Sequence, residues 1–257
     1  MQGLQPVSTS ISTQFEPATA LVVGASGGMG RSVVRRMAAR GFEVVGIGRD
    51  RDRLEEVEAL TDRHICDATS PDALDEIVGS LVADADRPPV RTIINLAGCI
   101  TLKPAHLIDE ATWNQTIALK LTTAFSCVRS AGKHLKNGGS VVLVSTVAAS
   151  IGLANHEAIA AAGAGVEGLA RSAAATYAAR GLRVNVVAPA LVDTPMATRI
   201  TSSERALEHS RKMHPLGRIG TPEDVAPAIE WLATDDSNWV TGQVIGVDGG
   251  LSRVRTG

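Results

Sequence analysis

A turn rich in glycine carries the clearest chemical signal in the chain. It reads Gly24-Ala-Ser-Gly-Gly-Met-Gly30, and it lies between a short apolar run and a helical segment that begins at Arg31. Glycines at such positions allow a tight turn, close approach of the backbone to a diphosphate, and close packing of helix on strand. A glycine-rich turn without a ligand is the alternative, but a position between strand and helix favours a nucleotide, because helix N-terminal amides bind anions. The predicted phosphate-binding residues are Gly24, Ser26, Gly27, Gly28, Met29 and Gly30.

Polar residues that follow the next two apolar runs indicate which nucleotide would bind. The run at 43–48 ends without the acidic side chain that would bind the adenosine ribose, and Arg49 follows at once. A guanidinium there suits a 2'-phosphate, and the Ser26 hydroxyl can add a donor. We therefore predict NADP(H) rather than NAD(H), the alternative being that Arg49 is a solvated surface charge. Asp67 is placed to accept a hydrogen bond from adenine or, equally, to cap the helix that begins near Pro71.

Short apolar runs alternate with longer amphipathic segments along the chain. Runs that are apolar throughout are typical of strands covered on both faces. Their alternation with helices predicts an α/β fold of the Rossmann type, a doubly wound three-layer sandwich with a parallel sheet of about seven strands. The polar segment 194–216 is predicted to be a mobile flap over a cleft. The principal predicted strands are 20–23, 43–47, 92–95, 141–145, 183–187 and 243–247, and the predicted helices are 31–40, 71–84, 111–135 and 157–180.

The bulk composition excludes several classes of protein. The chain has 257 residues and a net charge of -2, which offers no field for nucleic acid or for an anionic membrane surface. No stretch reaches the ~18 consecutive apolar residues that a membrane-spanning helix needs. Three cysteines without CxxC spacing suggest neither a disulfide framework nor a metal site, and they favour a reducing cytoplasm. We predict a flexible tail over residues 1–17 and a single domain over 18–257, because no linker interrupts the pattern.

Several motifs agree in order and spacing with one known family. They are residues 24–30, which resemble TGxxxGxG with Val23 in place of threonine; Asn-Leu-Ala-Gly at 95–98, which resembles NNAG; 189–194, which resembles a PG...T segment; and 215–225 with 240–250, which resemble a C-terminal signature. On these motifs the chain resembles the short-chain dehydrogenase/reductase family over nearly all of residues 18–252.

The resemblance implies further contacts with the cofactor and with a second subunit. In the family the NNAG turn supports the adenosine half of the nucleotide, and the PG...T segment orients the nicotinamide amide. The main dimer contact is made by the helix corresponding to 157–180 and the helix before it, so we expect a homodimer or homotetramer. The additional cofactor-binding residues implied by the resemblance are Asn95, Ala97, Gly98, Pro189, Val192 and Thr194.

The resemblance fails at the residues that carry out the family's chemistry. The family has a serine after its fifth strand, a Tyr-x-x-x-Lys pair on the next helix and an asparagine on the preceding helix. Here spacing places Thr146 at the serine and Lys120 at the asparagine, whereas Ile159 stands at the tyrosine and Gly163 at the lysine. The single tyrosine, Tyr177, lies too far along the chain for a shifted alignment to recover it. Because the family's tyrosine protonates the forming alkoxide, and general acid catalysis is worth ~10²- to 10⁴-fold, ordinary ketone reduction should be severely impaired.

Three hypotheses accommodate these replacements. In the first, the acid has moved: Thr146 keeps a hydroxyl for the substrate oxygen, and Lys120 fills space vacated at Gly163. His156 would supply the proton, since histidine commonly does so at neutral pH. Each of these three residues also has an ordinary structural interpretation: Thr146 as a strand end, Lys120 as a helix-surface or subunit-interface lysine, and His156 as a helix N-terminal or surface histidine.

In the second hypothesis the substrate needs less acid, as in hydride addition to an iminium ion or a conjugated enone, or the cleft performs a non-redox reaction and retains NADP(H). In the third, the chain is a catalytically silent subunit that pairs with an active homologue in a hetero-oligomer. The sequence favours an NADP(H)-dependent oxidoreductase with a non-standard site, acting on a small carbonyl, enone or imine compound, and the silent subunit is the alternative.

Overall fold

The computed structural model describes residues 16–255, so most of the predicted tail at 1–17 lies outside the described residues. The strands in this part of the chain are β1 (Thr19–Val23), β2 (Glu43–Gly48), β3 (Asp62–Ile65), β4 (Val90–Asn95), β5 (Gly139–Val144), β6 (Leu182–Pro189) and β7 (Val244–Val247). The α-helices are α1 (Gly28–Ala39), α2 (Arg51–Glu55), α3 (Pro71–Ala83), α4 (Glu110–Ile117), α5 (Thr123–His134), α6 (Glu157–Tyr177), α7 (Thr198–Thr201), α8 (Glu204–Met213) and α9 (Pro222–Ala233).

All strands of the sheet run parallel, in the order β3-β2-β1-β4-β5-β6-β7. The chain therefore winds outward in one direction from β1 to β3 and in the other from β4 to β7. This arrangement confirms the predicted doubly wound α/β fold. The direction reverses between β1 and β4, whose carboxyl ends are paired through Val23 and Asn95. In open parallel sheets, ligands bind in the crevice outside the carboxyl ends at this reversal.

Side chains on both faces of the sheet are buried. Along β1, Leu21 and Val23 belong to one core, which α3, α5 and α6 cover. Ala20 and Val22 point the other way, into a core that α1 and α9 cover. Burying a side chain such as Leu21 contributes ~1.5–3 kcal/mol, and this explains why the strand sequences are apolar without alternation.

The predicted helix at 111–135 is interrupted in the structure. The chain leaves α4 through one π-helical turn, Ala118–Thr122, before it continues as α5. A π turn contains an extra residue per turn and recurs at functional sites. Lys120 lies in the middle of it, with 8% of its surface exposed.

The predicted flap at 194–216 contains the two helices α7 and α8. The Ser203 side chain accepts a hydrogen bond from the Ala206 amide, which caps the second of them. Within residues 16–255, none of the helices is long and apolar enough to cross a membrane.

Candidate functional site

The glycine turn packs too closely to accept any other residue at its two ends. Gly24 has a φ of +81°, and a Cβ there would lie 3.0 Å from the Ala97 nitrogen. A Cβ on Gly30 would lie 2.2 Å from the Gly24 carbonyl oxygen, a distance much shorter than van der Waals contact allows. Gly27 precedes α1 as its N-cap without a side-chain hydrogen bond, so no side chain competes for the helix's first amides. The turn presents the anion-binding helix end that its sequence predicts.

A crevice of about 480 Å³ opens beside this turn, at the carboxyl ends of the first strands. It collects residues from the turns after β1, β2, β3 and β4, which are far apart in sequence. Of the predicted cofactor-binding residues, those that line it are Gly24, Ser26, Gly27, Arg49, Asp67, Ala97 and Gly98.

A second arginine, Arg53, lines the same crevice beside Arg49. Its guanidinium donates to the Ser26 carbonyl oxygen at 3.3 Å, and the Arg31 guanidinium donates to the same oxygen at 3.3 Å. Arg53 is not among the predicted site residues, because it lies on α2, a helix of five residues that is too short to show a periodic pattern. The available signal was its nearness in sequence to Arg49, just after the end of β2.

Asp67 folds back on the backbone that follows it. Its Oδ1 accepts hydrogen bonds from the Thr69 amide at 3.0 Å and the Thr69 hydroxyl at 2.8 Å. The hydrogen bond from the Thr69 backbone amide holds the pKa of the Asp67 carboxyl below its usual value. The cap of α3 is Ser70 rather than Asp67, so the structure does not support the capping alternative. Asp67 stays exposed at the edge of the crevice.

Asn95 connects the end of β4 to the helix across from it. Its amide nitrogen donates to the Thr123 hydroxyl at 3.0 Å, and its amide oxygen accepts from the Ala97 backbone nitrogen at 3.2 Å. Asn95 is buried and does not line the crevice described above. It fixes the turn that carries Ala97 and Gly98, in line with the supporting role that the motif implies.

The segment after β6 lies against the glycine turn. Val192 bridges to Gly220, and the Thr194 hydroxyl donates to the Val192 carbonyl oxygen at 3.4 Å. A Cβ on Gly28 would lie 2.8 Å from the Thr194 Cγ2, so only glycine allows this contact. The start of the predicted flap therefore lies directly against the glycine turn.

An inner cavity of about 100 Å³ adjoins the crevice. The two share Leu96, Ala97, Gly98 and Met196 as lining residues, so they lie side by side. The predicted residues that line the inner cavity are Met29, Ala97, Gly98, Lys120, Thr146, Pro189, Val192 and Thr194.

The Lys120 amine is buried in this cavity. Its Nζ donates to the Ser145 carbonyl oxygen at 3.1 Å and would lie 3.8 Å from a Cβ on Gly98. Ser145 is itself fixed, because its amide donates to Val187 and its hydroxyl donates to Glu167 at 3.0 Å. Desolvation by burial lowers the pKa of Lys120, and the nearby Cys99 opposes this only in part.

Thr146 and His156 differ in their relation to the cavity. The Thr146 hydroxyl accepts a hydrogen bond from the Ala148 amide at 3.3 Å, and Thr146 lines the cavity. His156 lies at the N-cap of α6, where its Nδ1 is 2.7 Å from the Ala154 carbonyl oxygen. His156 is not among the described residues that line the cavity. The structure brings Lys120 and Thr146 together and leaves His156 outside.

Comparisons with known proteins agree with this architecture. Residues 24–252 match the family described as enoyl-(acyl carrier protein) reductase. The chain is 38% identical over 248 residues to cis-4-hydroxycyclohexanecarboxylate dehydrogenase from Sinomonas cyclohexanicum, which covers 93% of this chain and 98% of that one. A solved short-chain type dehydrogenase/reductase from Mycobacterium ulcerans is 30% identical with a TM-score of 0.86, covering 93% of this chain and 90% of that one. The chain belongs to the short-chain dehydrogenase/reductase family.

A further solved relative of this short-chain dehydrogenase/reductase is a variant of actinorhodin polyketide ketoreductase, determined with NADPH. It is 26% identical with a TM-score of 0.84, and the match covers 93% of this chain and 98% of that one.

Spacing assigns the positions of the family's tyrosine and lysine to Ile159 and Gly163. Ile159 is buried and forms an apolar wall of the inner cavity. A Cβ on Gly163 would lie 2.9 Å from the Thr146 Cγ2 and 3.4 Å from the Ala149 Cβ. The space next to Gly163 is therefore filled by the Thr146 methyl group, which a serine lacks. Threonine at 146 and glycine at 163 form a matched pair.

Within residues 16–255, His, Cys, Asp and Glu side chains form no cluster that could hold a metal ion.

Proposed function

We propose that the protein is an NADP(H)-dependent oxidoreductase that transfers hydride to or from a small carbonyl, enone or imine compound. The observation that carries this proposal is that the predicted nucleotide crevice adjoins the cavity that holds Lys120 and Thr146. The residues present fit a dinucleotide: backbone amides lie at the helix end, and cations lie at the far edge. When bound, the nicotinamide supplies or accepts the hydride.

Three groups at the edge of the crevice support NADP(H) over NAD(H). Ser26, Arg49 and Arg53 line it together. Charge-assisted hydrogen bonds from guanidinium groups to phosphate are about twice as strong as neutral ones, so this edge suits a 2'-phosphate. The polyketide ketoreductase variant solved with NADPH shows that a structural relative binds this form of the cofactor.

Lys120 and Thr146 carry the proton chemistry in this proposal. Thr146 holds the substrate oxygen through its hydroxyl, and the Lys120 ammonium donates the proton to the forming alkoxide. A general acid works best when its pKa lies near the operating pH, and burial lowers the pKa of Lys120 towards that range. The apolar wall at Ile159 contributes no proton, so substrates that form little alkoxide character, such as enones and iminium ions, suit the cavity as well.

Replacing the Lys120 amine should abolish turnover without affecting the cofactor site. We expect Lys120→Met to reduce kcat for NADPH oxidation by ~10²-fold or more across a ketone, enone and imine panel, because the acid is lost. NADPH affinity, measured by fluorescence quenching, should stay at the wild-type value. Lys103→Met, at an exposed lysine, is the matched control, and His156→Ala should also leave turnover intact.

Two outcomes of this panel would redirect the assignment. Full activity in Lys120→Met would remove Lys120 from the mechanism. Tight NADPH binding by the wild type with no turnover on any substrate, together with co-purification of a homologue that retains Tyr-x-x-x-Lys, would favour the silent-subunit alternative. The feature that favours the silent-subunit alternative is the buried Ile159 together with Gly163, because neither side chain can supply a proton.

We also propose that the chain forms a homo-oligomer through α5 and α6. A groove of about 430 Å³ lies between them, lined by Phe125, Leu169 and Tyr177 among others. Phe125 is 44% exposed in the single chain, and a two-fold related copy would cover it.

Phe125→Glu should therefore convert the oligomer to a monomer in light scattering coupled to size exclusion, because it places a charge in an apolar interface. Val82→Glu, at an exposed apolar residue of α3, is the control and should leave the mass unchanged. A monomeric wild type, or an unchanged mass for Phe125→Glu, would argue against this interface.

A further inference from the structure

Lys120 differs from the other lysines of the chain in its surroundings. Lys103 and Lys136 are exposed, Lys133 pairs with Asp75, and the exposed Lys212 pairs with Glu208. The Lys120 amine is buried in a cavity whose lining contains no carboxylate among residues 16–255. Its one protein acceptor in that part of the chain is the Ser145 carbonyl oxygen.

These surroundings disfavour a charged ammonium in the absence of substrate. An ammonium has three donors and no acceptor, whereas a neutral amine has two donors and one lone pair. Burying an unpaired cation is costly, and the group normally loses its proton instead. The direction of the pKa shift agrees, since burial lowers the pKa of Lys120. A neutral amine is also a nucleophile towards carbonyl carbon.

We infer that Lys120 captures small aldehydes and ketones covalently, as a reversible imine formed inside the inner cavity. The cavity of about 100 Å³ admits compounds of a few non-hydrogen atoms. This inference rests on the proposed site and concerns the nucleotide-free protein, in which the neutral Lys120 amine takes small carbonyl compounds as ligands through their carbonyl carbon. The proton donation proposed above requires the protonated form of Lys120 instead.

The chemistry needs no oxidant, reductant or metal. The Nζ lone pair attacks the carbonyl carbon, the C–N bond forms, and the carbonyl π electrons move to the oxygen. One proton passes from nitrogen to that oxygen, and the Thr146 hydroxyl, which lines the same cavity, can hydrogen-bond to it. The second amine proton leaves with the hydroxyl as water, and a C=N bond remains. Hydrolysis reverses each step.

Reductive trapping tests the inference in the absence of any nicotinamide nucleotide, so its failure is distinguishable from failure of the hydride-transfer proposal. The native protein would be treated with acetaldehyde and sodium cyanoborohydride between pH 6 and pH 8, and each lysine quantified by peptide mass spectrometry. At pH 6 we expect Lys120 to be ethylated at least about 10-fold faster than Lys103 and Lys136, because exposed amines are almost entirely protonated at that pH. Its advantage should shrink as pH rises and disappear in urea.

The variant Lys120→Met should lose the fast phase of ethylation, which is the labelling of Lys120, and keep the slow labelling of the exposed lysines. The pH profile of the wild type gives the same information without relying on the folding of a variant. The inference is overturned if Lys120 stays unmodified in the native protein while Lys103 and Lys136 react, or if all three react at the same rate across the pH range. The same holds if the fast phase persists in Lys120→Met.

Discussion

Rebuilding the family's reactive groups should produce a ketone reductase only when the methyl group of Thr146 is removed as well. We expect the quadruple variant Lys120→Asn, Thr146→Ser, Ile159→Tyr, Gly163→Lys to gain NADPH-dependent ketone reduction of ~10²-fold or more over wild type. The triple variant that retains Thr146 should gain much less. The two variants differ by one methyl group, which makes each the control for the other.

The reason is steric. Any Cβ at position 163 would lie 2.9 Å from the Thr146 Cγ2, and the β-branched threonine has little freedom to move it. Overpacking of this kind costs ~1–3 kcal/mol, so the triple variant should also melt at a lower temperature than the quadruple variant. Replacing Lys120 avoids two ammonium groups in neighbouring positions. If the triple variant equals the quadruple variant in both activity and melting temperature, the Thr146 methyl group does not restrict position 163.

The central strands could be predicted from the sequence because burial on both faces leaves an uninterrupted apolar run. The predicted strand 20–23 corresponds to β1 with one residue added, and 92–95 lies within β4. β3 is an edge strand with the polar sequence Asp-Arg-His-Ile, so apolar periodicity did not give its bounds. The short α2 was missed for a related reason, since five residues cannot display a helical face.

The conformation of the glycine turn could be predicted because glycine there is a backbone requirement, visible in the sequence itself. The surroundings of Lys120 could not, since they depend on tertiary packing. The segment 111–135 shows nothing that distinguishes a π turn from a continuous α-helix, yet that turn carries Lys120. The sequence also gives no sign that the amine would meet the Ser145 carbonyl oxygen from a different layer of the fold.

The pairing of Thr146 with Gly163 illustrates the same limit. Spacing assigned both residues to family positions, but only coordinates show that one fills the space the other vacates. The contacts do not support the hypothesis that Lys120 fills that space. The atoms closest to a Cβ at 163 belong to Thr146 and Ala149.

Removing both arginines from the crevice edge should abolish the preference for NADPH over NADH. Arg49 and Arg53 line the crevice together with Ser26. A hydrogen bond to a charged group is worth ~1.5–3 kcal/mol, so each arginine that binds a 2'-phosphate accounts for about 10- to 100-fold in affinity. In Arg49→Ala/Arg53→Ala, the NADPH dissociation constant should rise to that of NADH. NADH binding itself should change little, because NADH has only a neutral 2'-hydroxyl at that edge.

The most direct measurement is a calorimetric titration of wild type and this double variant with NADPH and NADH. We expect one NADPH site per chain in the wild type, clear discrimination against NADH, and loss of that discrimination in the variant. Absence of heat and of thermal stabilisation with NADPH, with soaked crystals showing an empty crevice, would contradict it.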